Sequence, residues 1–280
     1  MKKLYAMIST DCNLHCPHCN IPRNGDGWNE EKFLNELLPF EGNVVLFGGE
    51  PTVHRDRFYY VVDQLFGMGK YNSCSITTNL IDVDEKLLEY LTMINYVGTS
   101  WNKTRFTPKE YVEWVGNLHR IDEEDIHWSV LVTLTPDLIE RPAREFINTV
   151  YSWGKFRSCT GITLEHLVFN DADEAYYQRA DEWMCELYKL WNLAVPVTTF
   201  WDLKWWFDCS ETYTLLPNGE VMHCCPTGLE ACKNVPNSCM VCDKVNECRP
   251  CVLQPGCSYP HKLYELIKED YERYERYSQK

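Results

Sequence analysis

The sequence contains no apolar run long enough to cross a bilayer, because its longest hydrophobic stretches have only the length of a β-strand. After Met1-Lys2-Lys3-Leu4 a short apolar segment leads directly into a cysteine cluster, so we expect no signal peptide. Positive charge is also scarce, with 27 Lys and Arg against 41 Asp and Glu and a formal net charge of −14. Phosphate-backbone binding needs an excess of basic residues, so this composition argues against a nucleic-acid polymer as partner, although not against a free nucleobase.

Cysteine, in contrast, is abundant, with 15 residues in a chain of 280. A chain without a secretion signal keeps its thiols reduced, so metal binding explains this number better than disulfides do. We therefore predict a cytoplasmic protein that works in an oxygen-poor setting. A chain of this length can bury a large core, as one elaborated domain or as one domain with an appendage.

Apolar, β-branched runs alternate with helix-like stretches over the first two thirds of the chain. Six runs predict strands, near residues 4–9, 43–47, 73–78, 96–101, 128–133 and 163–169. Six stretches predict helices, near residues 30–38, 56–66, 84–91, 108–119, 142–152 and 172–191. This alternation predicts an α/β fold whose parallel sheet curls into a partial (β/α)6 TIM-like barrel over residues 1–195.

The composition changes after Trp191, where clustered aromatic residues and nine of the 15 cysteines follow. We predict a small cysteine-rich domain over residues 196–260. The last segment, residues 261–280, is charged and rich in tyrosine, and its apolar residues recur at helical spacing. It therefore predicts a terminal helix.

The first cysteine cluster, CNLHCPHC, follows the first predicted strand and contains Cys12, Cys16 and Cys19. Each iron of a [4Fe–4S] cluster takes one thiolate, so these three cysteines can hold three irons and leave the fourth open to a small molecule. The spacing does not suit structural zinc, which takes a fourth protein ligand. The segment resembles the signature of the radical S-adenosylmethionine (radical SAM) enzymes. The resemblance implies that the open iron binds S-adenosylmethionine (SAM), which is reductively cleaved to a 5′-deoxyadenosyl radical that removes a hydrogen atom from the substrate.

A glycine pair, Gly48 and Gly49, stands directly after the second predicted strand and is followed by Glu50 and Pro51. Two glycines allow the backbone to approach a ligand closely. The segment resembles the GGE(P) segment of the same family, which binds the amino group of SAM. By the same resemblance, His18 occupies the usually aromatic position that lies against adenine. The resemblance also implies ribose and carboxylate contacts for three polar residues, Asn79, Ser100 and Asn102.

Polar residues share one face of three predicted strands, because side chains alternate across a strand. They are Thr77 with Asn79, Ser100 with Asn102, and Thr163 with Glu165. The opposite faces are apolar and suit helix packing: Ile76, Val97, Ile162 and Leu164. The pattern predicts a ligand pocket inside the barrel, and the alternative is a set of satisfied polar groups near strand ends. Three residues near this pocket are the candidate catalytic acids and bases: Glu165, His166 and Asp208.

The C-terminal cysteines follow a third pattern. Cys209 is separated by nine residues from Gly219, and Cys224 follows after four more. Further on, the sequence reads Cys239-x2-Cys242-x5-Cys248-x2-Cys251, with Cys257 five residues later. This series resembles the SPASM extension of radical SAM enzymes, apart from a two-residue spacing before Cys251 where three is usual. Asn218-Gly219 predicts a hairpin turn that returns Cys224 toward Cys209.

The SPASM resemblance implies two auxiliary [4Fe–4S] clusters. The first is held by Cys209, Cys224 and Cys251, and the second by Cys239, Cys242, Cys248 and Cys257. The usual further ligand to the first cluster falls on Leu215, which cannot ligate, so that cluster has an open iron or recruits Cys225 or Cys232. A compact four-cysteine zinc site is the alternative. The remaining cysteines are predicted to be buried hydrophobes: Cys74, Cys159 and Cys185.

Together these motifs predict a radical SAM oxidoreductase or lyase that receives its electron from an external low-potential donor such as flavodoxin or ferredoxin. Many SPASM-bearing relatives modify peptides, so the first hypothesis is oxidative modification or crosslinking of a peptide. Because the sequence begins at the first predicted strand, we expect no further domain that could grip a leader peptide. A small-molecule dehydrogenase or lyase, acting on an aminocyclitol, nucleoside or modified nucleobase, is therefore the second hypothesis. A non-catalytic metal-binding interaction module is the third.

Overall fold

The computed structural model describes residues 2–19, 21, 23, 25, 27–70, 73–166, 174–191, 197–199 and 212–222. Within these ranges the strands are β1 (Lys3–Ser9), β2 (Asn43–Gly48), β3 (Cys74–Thr78), β4 (Tyr96–Trp101), β5 (Trp128–Leu134), β6 (Cys159–His166), β7 (Val197–Thr199), β8 (Thr212–Leu215) and β9 (Val221–Met222). The helices are α1 (Glu30–Leu37), α2 (Arg55–Gly67), α3 (Glu85–Met93), α4 (Pro108–Glu123), α5 (Pro136–Ile139), α6 (Ala143–Val150) and α7 (Glu174–Leu190), with a 3₁₀ turn at Trp153–Lys155.

All nine strands belong to one sheet, in the order β7-β6-β5-β4-β3-β2-β1-β8-β9. Every neighbouring pair is parallel except β8 and β9. The predicted parallel α/β sheet is thus confirmed, and its six strand–helix units lie side by side in chain order, as they do in a β/α barrel. The closure of this sheet into a partial barrel stays a prediction. Because β1 to β6 are parallel, the loops after their carboxyl ends meet at one edge.

The capping residues correctly predicted where two helices begin. Thr107 and Glu110 form a reciprocal capping box at the start of α4, and Pro108 occupies its first turn. Asn29 caps α1 by accepting a hydrogen bond from the Lys32 backbone N–H. The end of α4 was predicted less accurately, since the helix ends four residues after His119, its predicted last residue.

The sixth strand begins at Cys159, four residues before the prediction. Its first residues, Cys-Thr-Gly, lack the apolar character of the run that follows, and its pairing with β5 shifts register between Trp128 and Ser129. The four-residue helix α5 was not predicted at all, because one turn is too short to show a helical period.

The core lies between the sheet and its helices. The predicted apolar face is confirmed, since its four members are at most 1% exposed: Ile76, Val97, Ile162 and Leu164. Cys74 and Cys185 are buried as predicted, whereas Cys159 is half-buried. Burial raises the pKa of the Cys74 thiol to about 12 and that of Cys159 to about 11, so both stay protonated at neutral pH.

No helix in the described ranges combines the length and the apolar character needed to span a membrane.

A hairpin formed by β8 and β9 extends the sheet beyond β1. Its turn lies at Pro217-Asn218-Gly219, as predicted, with Gly219 at a φ of 82°. The Asn29 N–H donates to the Pro217 carbonyl, which ties the turn to the start of α1. The strands β7, β8 and β9 therefore share a sheet with β1 to β6, while the predicted boundary near residue 195 stays a prediction. The predicted terminal helix, residues 261–280, lies outside the described residues.

Candidate functional site

Four loops meet at the carboxyl edge of the sheet and build the candidate site. The first follows β1 and contains the three cysteines of the CNLHCPHC segment. The others follow β2 (residues 49–54), β3 (residues 79–84) and β4 (residues 102–107). In parallel β/α folds the functional residues come from these carboxyl-end loops, because the strands hold them rigidly at one edge.

The cysteine loop presents two half-buried thiols, those of Cys12 and Cys16, and one exposed thiol, that of Cys19. Leu14 anchors the loop: its side chain is buried, its N–H donates to the Cys12 Sγ at 3.4 Å, and its carbonyl accepts a hydrogen bond from Arg23. Burial raises the pKa values of the Cys12 and Cys16 thiols. Burial therefore favours the neutral form of the Cys12 and Cys16 thiols, and a metal centre bound to them would have to displace their protons.

In the part of the chain that the structure describes, no three His, Cys, Asp or Glu side chains converge on a point where they could share one metal ion. The thiolates of a [4Fe–4S] cluster bind different irons, so they need not converge in this way. Three free thiols in one short loop could bind three of the four irons of such a cluster.

The glycine pair packs against the backbone of the cysteine loop. A Cβ at Gly48 would overlap the Ser9 carbonyl oxygen, and one at Gly49 would overlap the carbonyl oxygen of Asp11. The Gly49 N–H donates to the Ser9 carbonyl at 2.8 Å, and the Glu50 N–H donates to the Asp11 carbonyl at 2.7 Å. The two glycines thus hold the cysteine loop against β2, while their contact with a cosubstrate stays a prediction.

Glu50 is a buried carboxylate, only 1% exposed, with four hydrogen-bond donors around it. Its Oε1 accepts from the Thr52 N–H at 3.1 Å, from the Thr52 hydroxyl at 2.7 Å and from the Thr78 hydroxyl at 2.7 Å. Its Oε2 accepts from the Asn79 N–H at 2.7 Å. Since a buried charge is costly unless it is hydrogen-bonded, this carboxylate locks the loop after β2 to the end of β3.

The two asparagines assigned to the cosubstrate are each 1% exposed. The Asn79 Nδ2 donates to the Asn13 Oδ1 at 2.7 Å and lies 3.9 Å from the Cys12 Sγ. The Asn102 Nδ2 donates to the Thr133 carbonyl at 3.1 Å and to the Thr135 hydroxyl at 2.9 Å. Both amides therefore hold loops in place, whereas Ser100 on the same face is half-buried and more open. A contact of these residues with a cosubstrate stays a prediction.

Two buried nitrogen atoms beside the cysteines have no hydrogen-bond partner among the described residues: Nδ1 of His18 and Nε of Arg105. Burial, and then the nearby charge of Arg105, lowers the pKa of His18. The same guanidinium partly opposes the raised pKa values of Cys12 and Cys16. Arg105 was not identified from the sequence, because a single arginine in a loop carries no pattern.

The Arg105 loop is shaped by Asn102. The Asn102 carbonyl accepts from the Arg105 N–H at 3.1 Å, and its Oδ1 accepts from the Thr104 N–H at 2.9 Å. At the start of the cysteine loop, the His54 ring Nε2 lies 2.8 Å from the Asp11 Oδ2. This second pair was also missed by sequence reasoning, since its members are 43 positions apart in the chain.

The candidate acids and bases are only partly described. Glu165 and His166 lie at the carboxyl end of β6, paired with Thr133 and Leu134 of β5, and so on the edge where the four loops meet. Asp208 lies outside the described residues. The C-terminal cysteines assigned to auxiliary clusters also lie outside them: Cys209, Cys224, Cys225, Cys232, Cys239, Cys242, Cys248, Cys251 and Cys257.

Comparison with known proteins finds no matching family model. The chain is 29% identical over 82 residues to 7-carboxy-7-deazaguanine synthase from Haemophilus influenzae, a match that covers 29% of this chain and 37% of that protein. It resembles SuiB of Streptococcus suis bound to S-adenosylmethionine, with a TM-score of 0.61 and 15% identity over 84% of this chain and 62% of SuiB. It also resembles anSMEcpe with bound AdoMet and the Kp18Cys peptide, with a TM-score of 0.61 and 16% identity over 80% of this chain and 75% of that one.

These matches differ in what they cover. The chain spans little more than a third of the curated synthase and less than two thirds of the SuiB chain. At 15–16% identity the likeness to the solved structures is one of fold. The chain therefore shares its fold with proteins that have been solved with S-adenosylmethionine bound.

Proposed function

We propose that this protein is a radical SAM enzyme. The observation that carries the proposal is the three-cysteine loop at the carboxyl edge of a parallel sheet, in a fold shared with S-adenosylmethionine-bound proteins. When bound, a [4Fe–4S] cluster with one open iron supplies the electron that cleaves SAM to methionine and a 5′-deoxyadenosyl radical, which abstracts a hydrogen atom from the substrate.

The residues around the loop fit both the cluster and the cosubstrate. Cys12, Cys16 and Cys19 are free thiols that would hold three irons. Buried polar atoms are normally hydrogen-bonded, and a bound ligand would complete the unpartnered nitrogens of His18 and Arg105. An imidazole can lie against adenine, and a guanidinium is the usual partner of a carboxylate. SAM carries both groups.

The other residues at this edge would position the reactants and exclude water. Gly48, Gly49 and Glu50 would hold the cysteine loop and take the amino group of SAM by the family resemblance. Ser100, Asn79 and Asn102 would line the cosubstrate side. Glu165, His166 and Asp208 remain the proposed acids and bases for the substrate.

For the substrate we propose a peptide that is oxidatively modified or crosslinked. The support is the likeness to anSMEcpe, which was solved with a bound peptide. The C-terminal cysteines would form a SPASM-type domain with one or two auxiliary clusters, which would accept the electron left on the substrate. The protein would work in the cytoplasm with flavodoxin or ferredoxin as its electron donor.

A small-molecule substrate is the second candidate. The 82-residue match to 7-carboxy-7-deazaguanine synthase favours it, since the name of that enzyme describes a modified nucleobase as its product. The two candidates are separated by supplying deuterated peptides or deuterated small molecules and following deuterium into 5′-deoxyadenosine. Only the true substrate transfers its label.

The test of the family proposal is anaerobic reconstitution followed by counting of iron and sulfide. We expect about twelve irons per chain if three clusters assemble, and about four if only the first does. With dithionite and SAM, the protein should release 5′-deoxyadenosine, measured by liquid chromatography and mass spectrometry. Replacing Cys12, Cys16 and Cys19 together with alanine should remove about four irons and all of this product.

The matched control is Cys159→Ala, which removes a half-buried thiol outside the cysteine loop. This variant should keep its iron and its SAM cleavage. A purified wild type that carries zinc in the loop, or that neither binds nor cleaves SAM, would favour the non-catalytic metal-binding module and overturn the proposal.

A further inference from the structure

The side-chain amide of Asn79 is buried, yet it is directed at the cysteine loop. Its Nδ2 donates to the Asn13 Oδ1 at 2.7 Å and reaches the Cys12 Sγ at 3.9 Å, within the range of an N–H···S hydrogen bond. The Leu14 N–H donates to the same sulfur at 3.4 Å. The sulfur of Cys12 therefore receives two N–H donors, one from its own loop and one from the end of β3.

The backbone turn that carries Asn79 is strained. Leu80 and Asp82 have φ values of 55° and 61°, in the left-handed region that residues with a Cβ adopt at an energetic cost. Such conformations persist only where the surrounding structure holds them, and they cluster at functional sites.

The surroundings hold this turn from several sides. Glu50 accepts from the Asn79 N–H at 2.7 Å, and the Asn79 Oδ1 accepts from the Ile81 N–H at 2.9 Å. Asn117 of α4 donates to the Leu80 carbonyl at 2.9 Å. Glu113, also on α4, accepts from the Asp82 N–H at 2.6 Å. The position of the Asn79 amide is therefore set independently of its own contact with the cysteine loop.

We propose that Asn79 is a positioning residue that raises the reduction potential of the metal centre held by Cys12. The inference rests on the proposed function, because it requires a [4Fe–4S] cluster at the cysteine loop. One-electron reduction adds negative charge to the cluster and its sulfurs. Hydrogen-bond donors to those sulfurs stabilise the added charge, so the reduced form is favoured. Without the Asn79 donor, an external electron donor would reduce the cluster less readily.

The test is a redox titration of the anaerobically reconstituted full chain, followed by electron paramagnetic resonance in the absence of SAM. The signal to follow is the one that disappears in the triple alanine variant of the cysteine loop, which separates it from any auxiliary cluster. At the potential where half of the wild-type clusters are reduced, Asn79→Ala should show a three- to tenfold lower ratio of reduced to oxidised cluster. A tenfold change corresponds to about 59 mV for one electron.

Asn79→Asp provides a second variant of the same shape. It keeps an oxygen that can accept from the Ile81 N–H, but it replaces the donor with a negative charge. Its reduced fraction should therefore fall at least as far as that of Asn79→Ala. Asn117→Ala is the matched control, because it removes a buried asparagine that holds the same turn without contacting a cysteine. Its potential should equal that of the wild type.

Three results would overturn the inference. The first is an unchanged potential in Asn79→Ala and Asn79→Asp. The second is an equal shift in Asn117→Ala, which would assign the effect to the turn rather than to the amide. The third is loss of loop iron in both Asn79 variants while Asn117→Ala retains it, which would make Asn79 an assembly residue. If the wild type assembles no cluster at the cysteine loop, the proposed function is overturned as well. If the wild type cleaves SAM but the Asn79 variants have an unchanged potential, only the role of Asn79 is overturned.

Discussion

At the scale of single residues, buried polar atoms without partners are the most informative feature of the site. Arg105 is half-buried near Cys12 and Cys16, and its Nε has no partner among the described residues. Leaving a buried donor unsatisfied costs free energy, which a bound anion would recover. We therefore assign to Arg105 the recognition of the SAM carboxylate within the proposed function.

Replacement of Arg105 tests this assignment. Arg105→Gln should weaken SAM binding to the reconstituted protein about 10- to 100-fold, because a charge-assisted hydrogen bond contributes about 1.5–3 kcal/mol. Arg105→Lys keeps the charge but loses the planar fork, so it should restore only part of the affinity. Anaerobic equilibrium dialysis with radiolabelled SAM measures the dissociation constants.

Lys103 provides the control for Arg105, since it is an exposed cation in the same loop. Lys103→Gln removes the same formal charge and should leave the dissociation constant unchanged. If both variants lose the same affinity for SAM, the effect is one of long-range charge and not of a specific contact. Unchanged SAM binding in Arg105→Gln would contradict the assignment.

At the scale of elements, the helices α4 and α2 end with the same hydrogen-bond pattern and a residue in the left-handed conformation. After α4, the Ile126 N–H donates to the Ile121 carbonyl and the Asp125 N–H donates to the Asp122 carbonyl, which is a Schellman motif. The motif places Asp125 at a φ of 56°. After α2 the same two bonds recur, from Lys70 and Gly69 to Leu65 and Phe66, and there glycine occupies the left-handed position.

The comparison of these two ends yields a stability prediction. Asp125→Gly should raise the free energy of unfolding by about 0.5–1 kcal/mol, because glycine adopts a positive φ without a Cβ penalty. Urea titration of the apo protein, followed by circular dichroism, measures the change.

Gly69→Ala is the opposite test at the equivalent position of α2. A Cβ there would meet no atom within 4 Å, so its cost comes from the φ of 72° alone. It should lower the free energy of unfolding by about 1 kcal/mol. Changes of the same sign in both variants would be incompatible with this account of the two helix ends.

At the scale of the whole molecule, the β8–β9 hairpin completes the sheet on the side of the cysteine loop. β1 pairs with β2 on one side and with β8 on the other, in register from Lys3 with Thr212 to Ala6 with Leu215. The strand that leads into the cysteines is therefore internal to the sheet, where both of its edges are hydrogen-bonded. Gly219 lets the hairpin turn pack directly on α1, because a Cβ there would overlap Lys32.

Gly219→Ala should detach this turn from α1. Its positive φ and its overlap with the α1 backbone together predict a loss of about 2 kcal/mol in the free energy of unfolding. The control is Gly116→Ala, within α4, where a Cβ meets nothing within 4 Å. That variant should gain up to about 1 kcal/mol from the higher helix propensity of alanine. A Gly219→Ala protein as stable as the wild type in urea titration would refute the packing role of this turn.

Local patterns identified much of the fold from the sequence. The strand starts at residues 43, 96 and 128 and the capped start of α4 at Thr107 were predicted where the structure has them. The hairpin turn at Asn218-Gly219 was also predicted correctly. These features depend on residues within a few positions of one another, through side-chain alternation, capping and turn conformation.

The hydrogen-bond partners of the site residues could not be predicted from such local patterns. Asn79 and Asn102 directly follow β3 and β4, the two strands to which the prediction assigned them. Nothing in their spacing indicated that their amides donate to Asn13 and Thr135. The packing of the glycine pair on the cysteine loop was not predicted, while its predicted approach to a ligand stays a prediction. Arg105 and the Asp11–His54 pair went unnoticed, because their meaning depends on neighbours far along the chain.

The sequence by itself determined which functional groups the site contains and where they lie in the fold. Three thiols follow the first strand, a glycine pair follows the second, and the parallel sheet brings both to one edge. Tertiary structure alone decided which atom meets which, since register and loop packing join residues such as Cys12 and Asn79 that are 67 positions apart. Thiol spacing is encoded locally, whereas hydrogen bonding at the half-buried Cys12 sulfur depends on strands that pair across the sheet.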